Sequence, residues 1–177
     1  YGDPFPHETF EECKSSDAVL LAAIGDPKYD DLPREKRPET GLLNLRSSLD
    51  LFANIRPVKI IPALTQASSL KEEFVKDVDL VVVRELTSGI YFGEPKGRIK
   101  TEKGERAFNT MAFTSGEVTR IAEIAFKLAK QRNQKVCSVD KANVLDVSQL
   151  WREATILVSS NYEKIELTHQ YVDNAAM

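Results

Sequence analysis

The chain has 177 residues, of which 29% are charged and 42% are apolar, and its formal net charge is -3 at pH 7. This length allows one domain, or two small ones, with a genuine core. The slight negative charge and the lack of a Lys/Arg tract argue against a general nucleic-acid binder. No apolar run reaches the roughly 20 residues that a membrane-spanning helix needs. We therefore expect a globular, cytoplasmic protein with no nucleic-acid or membrane partner.

The two cysteines, Cys13 and Cys137, stand far apart and match no metal-binding spacing. Free thiols in a reducing compartment are the expected state, and a single disulfide is the alternative. The two histidines, His7 and His169, follow no pattern either. A histidine-based metal site or catalytic triad is therefore not expected. The glycine-rich phosphate loops of nucleotide-binding proteins are also absent from the sequence.

The first third of the chain predicts a short polar helix over 9–16, a buried strand over 17–24, a loop over 28–37 and a helix over 38–52. The strand is an apolar run that Gly25 ends. The longer helix opens with Pro in its first turn, where a missing N–H is tolerated. Its core-facing positions recur at helical spacing and are Leu42, Leu45, Leu49 and Phe52.

The middle of the chain predicts a strand over 58–61, a short helix or turn over 70–76 and a buried strand over 80–84. The last of these is an apolar, mostly β-branched run. Residues 92–113 are polar and glycine-containing and follow no helical or strand period. Because such a stretch is too long for an ordinary connection, we expect a lid, an arm that docks on a partner, or disorder.

The last third opens with Thr114-Ser-Gly-Glu117, which is a capping box for a long helix. The apolar stripe of that helix consists of Val118, Ile121, Ala122, Ala125, Leu128 and Ala129. A strand over 135–139, a helix over 148–158 with a buried Trp151, and an alternating strand over 164–172 follow. Because strands and helices alternate, the predicted fold class is α/β.

Polar side chains follow several of the predicted strands. Arg84 ends one strand, and Tyr91 lies on the turn behind it. Lys141 and Asn143 follow the strand over 135–139, and Asp173 follows the last strand. Open α/β sheets present their chemistry at the carboxyl ends of the strands, so we expect these side chains to meet there.

Three guanidiniums near element ends suit a small substrate with two carboxylates, because arginine forks bind carboxylates bidentately. They belong to Arg46, Arg56 and Arg84. Lys141 is a candidate base and Tyr91 a candidate proton donor. Asp173 offers a hard oxygen ligand for Mg²⁺ or Mn²⁺. Taken singly, Arg84 and Tyr91 are more typical of a surface ion pair and a packed ring; taken together, the groups indicate chemistry on an α-hydroxy acid.

Several stretches, in order along the whole chain, resemble one family. They are Gly41-Leu-Leu-Asn-Leu-Arg46 running into Leu51-Phe-Ala-Asn-Ile-Arg-Pro57, Val83-Arg-Glu-Leu-Thr-Ser-Gly-Ile-Tyr-Phe-Gly-Glu-Pro95, Ser138-Val-Asp-Lys-Ala-Asn-Val144, Leu150-Trp-Arg152 and Tyr171-Val-Asp-Asn-Ala-Ala-Met177. This set resembles the β-decarboxylating dehydrogenases, that is, the isocitrate and isopropylmalate dehydrogenase family, and most of all its isopropylmalate branch. It matches only the middle of the longer family chain, so we expect a piece of a larger protein that is inactive by itself.

The resemblance implies the α/β fold of isopropylmalate dehydrogenases, in part. Residues 1–52 would form part of the cofactor-binding domain, and residues 53–177 would form the central substrate and dimerisation domain. The stretch 92–113 would be an intersubunit β arm. The implied assembly is a homodimer with shared active sites.

The implied reaction is oxidation of 3-isopropylmalate by NAD and then decarboxylation to 2-oxoisocaproate, a step of leucine biosynthesis that uses Mg²⁺ or Mn²⁺. The three arginines match the residues that hold the malate carboxylates. Tyr91 matches the tyrosine that protonates the enol after CO₂ leaves. Lys141 matches the lysine that helps to take the hydroxyl proton, and Asp173 matches a metal-ligating aspartate. The resemblance implies that both come from the partner subunit.

The remaining matches lie around the substrate side chain and the nicotinamide. Asn143 matches an asparagine near both molecules, and Glu39 matches a residue on the cofactor side. The positions that recognise the isopropyl group are matched by Leu42, Leu43 and Val144. Ser88 stands where the family commonly has glycine, which restricts the turn without affecting a proposed role.

Two other interpretations stay open. The first is a sister enzyme that acts on isocitrate, homoisocitrate or tartrate. The pair Leu42-Leu43 disfavours it, because two leucines would leave a third carboxylate buried without a partner. The second is a non-catalytic subunit or fragment of the same fold, which would not need Tyr91, Lys141 and Asp173 together.

Overall fold

The computed structural model describes residues 2–177 and has a mixed α/β fold, which confirms the predicted class. The chain divides into two compact units, Tyr1–Phe52 and Ala53–Met177. Their assignment to cofactor binding and to substrate binding with dimerisation stays a prediction. No helix among the described residues is both long enough and apolar enough to cross a membrane. Cys13 and Cys137 are free thiols, as expected.

The first unit contains two helices joined by 3₁₀ turns. Helix α1 spans His7–Ser15, the turns span Pro27–Tyr29 and Arg34–Lys36, and helix α2 spans Pro38–Ser48. The prediction that the second helix continues to residue 52 is wrong. The backbone of Asp50 has a positive φ of 48°, a left-handed conformation that a helix cannot contain.

The predicted buried strand over 17–24 is also wrong. These residues form no regular element, and the side chains are exposed, Leu20 by 99%. The strands of the described residues pair only with one another, and none pairs with this run. A strand requires a neighbour for its backbone N–H and C=O groups, and composition alone does not supply one.

The second unit begins with an antiparallel ribbon of strands β1, Ala53–Lys59, and β2, Asp79–Glu85. Between them lie a 3₁₀ turn, Pro62–Ala67, and the short helix α3, Glu72–Val75. Strand β1 starts earlier than predicted, and β2 is not buried. Leu80 and Val82 are each 47% exposed, because they lie on the uncovered face of a two-stranded ribbon.

The stretch 92–113 contains a β-hairpin, which is the strand structure that the resemblance implied and the local residue pattern did not indicate. Strand β3 spans Gly97–Thr101 and pairs antiparallel with β4, Gly104–Phe108. The hairpin is exposed along almost its whole length, which is why neither alternation nor an apolar face marks it in the sequence. Its docking on a partner stays a prediction.

The remainder of the unit is a βαβ crossover packed against a long helix. Helix α4 spans Ser115–Lys130, strand β5 spans Lys135–Asp140, helix α5 spans Asp146–Ser159 and strand β6 spans Glu166–Tyr171, parallel to β5; the short helix α6, Val172–Ala176, follows. The capping box is confirmed. Glu117 N donates to Thr114 Oγ1 at 3.2 Å, and Thr114 N donates to the Glu117 carboxylate at 2.7 Å.

The core of this unit lies between α4, α5 and the parallel strands. Phe126 is completely buried and stacks on Tyr162, with 5.0 Å between the ring centroids. It also contacts Ala122 and Val158 in one cluster. Sequence reasoning left Phe126 out of the helix stripe. The prediction of a buried Trp151 holds only in part, because the residue stays partly exposed. Its indole N–H donates a hydrogen bond to the Ser138 hydroxyl at 3.3 Å.

We predict that Phe126→Ala in the intact protein lowers the free energy of unfolding by about 3–5 kcal/mol, since it leaves a cavity beside Tyr162. Phe126→Leu, which fills most of the same volume, is expected to cost less than about 1.5 kcal/mol. Urea denaturation followed by circular dichroism measures both. Equal losses for the two variants would contradict the assignment of Phe126 to the packed core.

Candidate active site

Helix α2 carries the predicted site residues of the first unit. Glu39 is exposed, while the side chains of Leu42, Leu43 and Arg46 are partly buried. The loop at Gly25 approaches Glu39 closely, since a Cβ added there would stand 2.6 Å from a carboxylate oxygen. The Glu39 side chain could move away, but Gly25 also has a φ of +103°, a conformation that favours glycine. The helix therefore presents a carboxylate, two leucines and a guanidinium from neighbouring positions.

In the second unit, Arg56 and Arg84 share one face of the β1–β2 ribbon. Arg84 pairs across the ribbon with Asn54, and Arg56 pairs with Val82, so the two arginines are diagonal neighbours. Arg56 Nε donates a hydrogen bond to the side-chain oxygen of Asn54, which holds its guanidinium beside Arg84. Both arginines are exposed. Two adjacent cations that face solvent are suited to bind a dianion.

Tyr91 belongs to the same group. It ends a 3₁₀ turn, Gly89–Tyr91, just beyond β2. The Arg84 guanidinium carbon lies 5.5 Å from the centroid of the Tyr91 ring, within the range of a cation–π contact. Half of the Tyr91 surface is exposed to solvent. The ribbon thus brings together a phenol and two guanidiniums.

Glu85, to which sequence reasoning gave no role, anchors the chain between Arg84 and Tyr91. Its carboxylate is 2% exposed and accepts hydrogen bonds from the backbone N–H and the hydroxyl of both Thr87 and Ser88, at 2.7–3.0 Å. Arg120 on α4 donates to it at 3.2 Å. Burial raises the pKa of Glu85, but the bonds from Ser88 and Thr87 outweigh burial and hold that pKa below its usual value. The carboxylate therefore fixes this turn while ionised.

Ser88 takes part in this anchoring. Its hydroxyl donates to Glu85 at 2.7 Å. Its backbone is extended, with a φ of -137°, so a side chain is tolerated without strain. The next residue, Gly89, has a φ of +74°, and an added Cβ would stand 2.8 Å from the Phe113 ring. Glycine is therefore required at position 89 but not at 88.

A second group of side chains lies beyond strands β5 and β6. Lys141 Nζ donates to Asp173 Oδ1 at 2.6 Å. This hydrogen bond holds the pKa of Asp173 below its ordinary value. In a single chain this carboxylate is therefore an ion-pair partner of Lys141. Asn143 and Val144 lie on the turn after Lys141 and are exposed.

Asp140 and Arg152 support this second group and were also missed. Asp140 ends β5 with a side chain that is 1% exposed, and Arg152 donates to it from Nε at 2.8 Å and from Nη2 at 2.9 Å. The pKa of Asp140 is raised by burial but lowered more by these bonds. His169 lies close by; burial, and then Arg152, lower its pKa. The sequence shows only an acidic residue at the end of a predicted strand, and its burial is visible in the structure alone.

Across the described part of the chain, no hydrogen bond or ion pair joins Lys141 or Asp173 to Arg56, Arg84 or Tyr91. For a metal, Asp173 fits as one oxygen ligand, being ionised and 62% exposed. Within residues 2–177, no three His, Cys, Asp or Glu side chains converge to complete a metal site.

Comparison with known proteins supplies a family. A family model described as isocitrate/isopropylmalate dehydrogenase matches residues 1–177. The 3-isopropylmalate dehydrogenase of Prochlorococcus marinus strain NATL2A is 88% identical over 176 residues, which are 99% of this chain and 49% of the relative. The 3-isopropylmalate dehydrogenase of Synechococcus sp. strain CC9902 is 63% identical over 176 residues, with the same coverage, 99% and 49%. The chain spans about half the length of the curated relatives it matches.

Solved structures agree with this match. A crystal structure of isocitrate dehydrogenase from Methylococcus capsulatus superposes with a TM-score of 0.72 and 26% identity. The superposition covers 99% of this chain and 49% of that one. The fold of this chain is therefore similar to that of about half of this isocitrate dehydrogenase.

We predict that Glu85→Gln lowers the stability of the intact protein at neutral pH by about 1–3 kcal/mol, because an amide cannot accept all of the hydrogen bonds. The folded-state pKa of Glu85 lies below its unfolded value of about 4.3, so the carboxylate stabilises the protein above that pH and ceases to do so as the pH falls through the folded pKa.

The difference between Glu85→Gln and the unsubstituted protein should accordingly shrink below about pH 4. Thermal unfolding midpoints from pH 3 to 7 measure it. Glu123→Gln, which removes an exposed i,i+4 pair with Lys127, is the control and should cost at most about 0.5 kcal/mol. A Glu85→Gln deficit that stays constant over this pH range would contradict an ionised, structural Glu85.

Proposed function

The chain belongs to the isocitrate/isopropylmalate dehydrogenase family, and from this premise we propose that the whole protein is an NAD-dependent 3-isopropylmalate dehydrogenase. It would oxidise 3-isopropylmalate and decarboxylate the product to 4-methyl-2-oxopentanoate, a step of leucine biosynthesis, in the cytoplasm. The observation that carries the proposal is the shared ribbon face of Arg56 and Arg84, with Tyr91 stacked on the second arginine. Support also comes from the relatives, which bear this enzyme name.

The ribbon residues suit the proposed substrate. Two adjacent guanidiniums offer bidentate hydrogen bonds to the two carboxylates of a malate, and Arg46 on α2 would add a third cation. The exposed phenol of Tyr91 would deliver a proton to the carbon that loses CO₂. Arg84, in contact with the Tyr91 ring, would keep that hydroxyl next to the carboxylate that leaves.

The leucine pair on α2 supports an apolar substrate side chain. Leu42 and Leu43 are partly buried neighbours on the helix that also presents Arg46. An isopropyl group would pack on them, with Val144 as a further apolar contact. A third carboxylate in the same place would lose its hydration without gaining a partner, at a cost of roughly 1–3 kcal/mol or more. Glu39, exposed one turn earlier, would face the nicotinamide.

Lys141 and Asp173 are proposed to act in the active site of the partner subunit. Their mutual hydrogen bond, and the lack of a polar contact with the ribbon residues in the described part of one chain, support a role in which the pair contributes to the active site of a second copy. Lys141 would take the hydroxyl proton, Asn143 would contact substrate and nicotinamide, and Asp173 would ligate Mg²⁺ or Mn²⁺. When bound, the metal ion stabilises negative charge on the substrate oxygens, and NAD accepts the hydride.

The domain roles are part of the same proposal. The unit Tyr1–Phe52 would belong to the cofactor-binding domain, and the unit Ala53–Met177 would bind substrate and dimerise. The exposed hairpin of β3 and β4 would be the arm that reaches the partner. Its exposure along both strands supports this, because unpaired edges and uncovered faces are normally protected in an assembly.

We predict that the intact protein produces NADH from 3-isopropylmalate with a kcat/KM at least about a hundredfold above that for isocitrate. The reason is that Leu42 and Leu43 offer no hydrogen-bond donor to the third carboxylate of isocitrate. Absorbance at the NADH band, with Mg²⁺ or Mn²⁺ present, measures both rates. A preference for isocitrate, homoisocitrate or tartrate would assign the protein to a sister enzyme. No turnover of any of these substrates would favour a non-catalytic subunit.

We further predict that Lys141→Ala lowers kcat for 3-isopropylmalate by about 10²–10⁴-fold, because the proton acceptor is lost. Lys135→Ala is the matched control. Lys135 begins the strand that Lys141 follows, and its side chain forms an exposed ion pair with Glu166. Its loss should leave kcat within about twofold. Near-normal turnover by Lys141→Ala would remove this lysine from the mechanism.

A further inference from the structure

The carboxylate of Asp140 binds the backbone directly after Lys141. Asp140 directly precedes Lys141, and its Oδ1 accepts a hydrogen bond from the N–H of Ala142, directly after Lys141, at 2.9 Å. The side chain is 1% exposed, so it depends on protein donors to remain ionised. Arg152 supplies two of them, from Nε to Oδ2 at 2.8 Å and from Nη2 to Oδ1 at 2.9 Å. The position of Lys141 thus depends on a guanidinium that does not touch it.

A second route joins Arg152 to the same site. Its guanidinium carbon lies 5.2 Å from the ring centroid of Tyr171, and Lys141 Nζ lies 5.8 Å from the same centroid. Both cations therefore contact one aromatic ring. Tyr171 ends β6 two residues before Asp173, whose carboxylate accepts the hydrogen bond of Lys141 at 2.6 Å. Arg152 consequently supports both members of the Lys141–Asp173 pair.

We propose that Arg152 is a positioning residue that acts through Asp140 and Tyr171 to hold the Lys141 amine and the Asp173 carboxylate in one arrangement. The catalytic consequence rests on the proposed function, in which Lys141 takes a proton and Asp173 ligates the metal. The structural consequence, a fixed Lys141–Asp173 pair, does not rest on it.

The planar, forked geometry of the Arg152 guanidinium, rather than its charge alone, is what positions Asp140 in this proposal. Arg152 presents Nε and Nη2 in parallel to the two oxygens of Asp140, and a lysine ammonium cannot reproduce this geometry. Its planar face also lies against Tyr171, which an ammonium would cover less well. Arg152→Lys therefore keeps the charge and loses the positioning, while Arg152→Met loses both.

The unit offers a matched control in the Arg120–Glu85 pair. Arg120 is 31% exposed and Glu85 is 2% exposed, close to the 27% and 1% of Arg152 and Asp140. Arg120→Lys therefore disrupts an equally buried ion pair, but one that borders the Tyr91 turn. General destabilisation would follow from either substitution, whereas only Arg152 variants should disturb Lys141.

The first readout is the chemical labelling rate of Lys141 in the intact, metal-free protein. Trinitrobenzenesulfonate modifies free amines, and peptide mass spectrometry reports the rate at Lys141 relative to Lys135 at one pH, far below the unfolding temperature. We expect the rate to rise about two- to fivefold in Arg152→Lys and Arg152→Met, as the ion pair with Asp173 loosens, and to stay unchanged in Arg120→Lys. An unchanged rate in both Arg152 variants would overturn the proposal.

The second readout is steady-state kinetics with 3-isopropylmalate. We expect kcat to fall about 10–100-fold in both Arg152 variants, while KM changes far less, because substrate is still held by the arginines of the ribbon. Rescue of kcat by Arg152→Lys, or a fall confined to KM, would overturn the proposal.

Tyr171→Leu is the further variant, because Tyr171 contacts both Arg152 and Lys141. Should Arg152→Met not fold, Tyr171→Leu tests the second route, since Tyr171 is 37% exposed and its loss should also raise the labelling of Lys141. If the unsubstituted protein makes no NADH from 3-isopropylmalate, the proposed function fails and the labelling rates alone decide this inference. If NADH is made and labelling is insensitive to Arg152, the inference fails and the proposed function stands.

Discussion

Two buried carboxylates, each neutralised by an arginine from a helix, organise the second unit. The side chains of Glu85 and Asp140 are 2% and 1% exposed. An ionised carboxylate in such a place is costly unless several donors replace water. Here many of the donors come from the residues just beyond the strand end, namely Thr87 and Ser88 for Glu85 and Ala142 for Asp140. Because these backbone and side-chain groups must stay hydrogen-bonded to the buried carboxylates, the two segments that carry the candidate catalytic residues are held in one conformation.

This arrangement separates charges that hold the structure from charges that face solvent. Tyr91 is half exposed, and the Lys141–Asp173 pair is 30% and 62% exposed. Exposed ion pairs contribute little to stability, so the pair can open to a ligand at small cost. The buried pairs are expensive to break, because removing one partner leaves an unsolvated charge. Rigid segments thus hold solvent-facing charged side chains in place, which is what a binding site for a small charged molecule requires.

Elements with local determinants were predictable from the sequence. The capping box at Thr114 and Glu117 needs only residues of one turn, and the alternation of 164–172 needs only one strand. The prediction of a buried strand over 17–24 was wrong because a strand depends on a neighbouring strand that the sequence does not specify. The hairpin of β3 and β4 has no local signature, because its exposed strands carry no apolar face, and only the resemblance indicated a β arm there.

The sequence by itself determined the class of fold and the residues that match the family, because each motif is contiguous and its residue types suit a dicarboxylate and a metal ion. Only the tertiary structure decided which groups hold those residues in place. Arg120 lies 35 residues from Glu85, and Arg152 lies 12 from Asp140, so no local pattern connects either pair. Burial made these carboxylates structural, and burial depends on what the fold packs over a residue rather than on its neighbours along the chain.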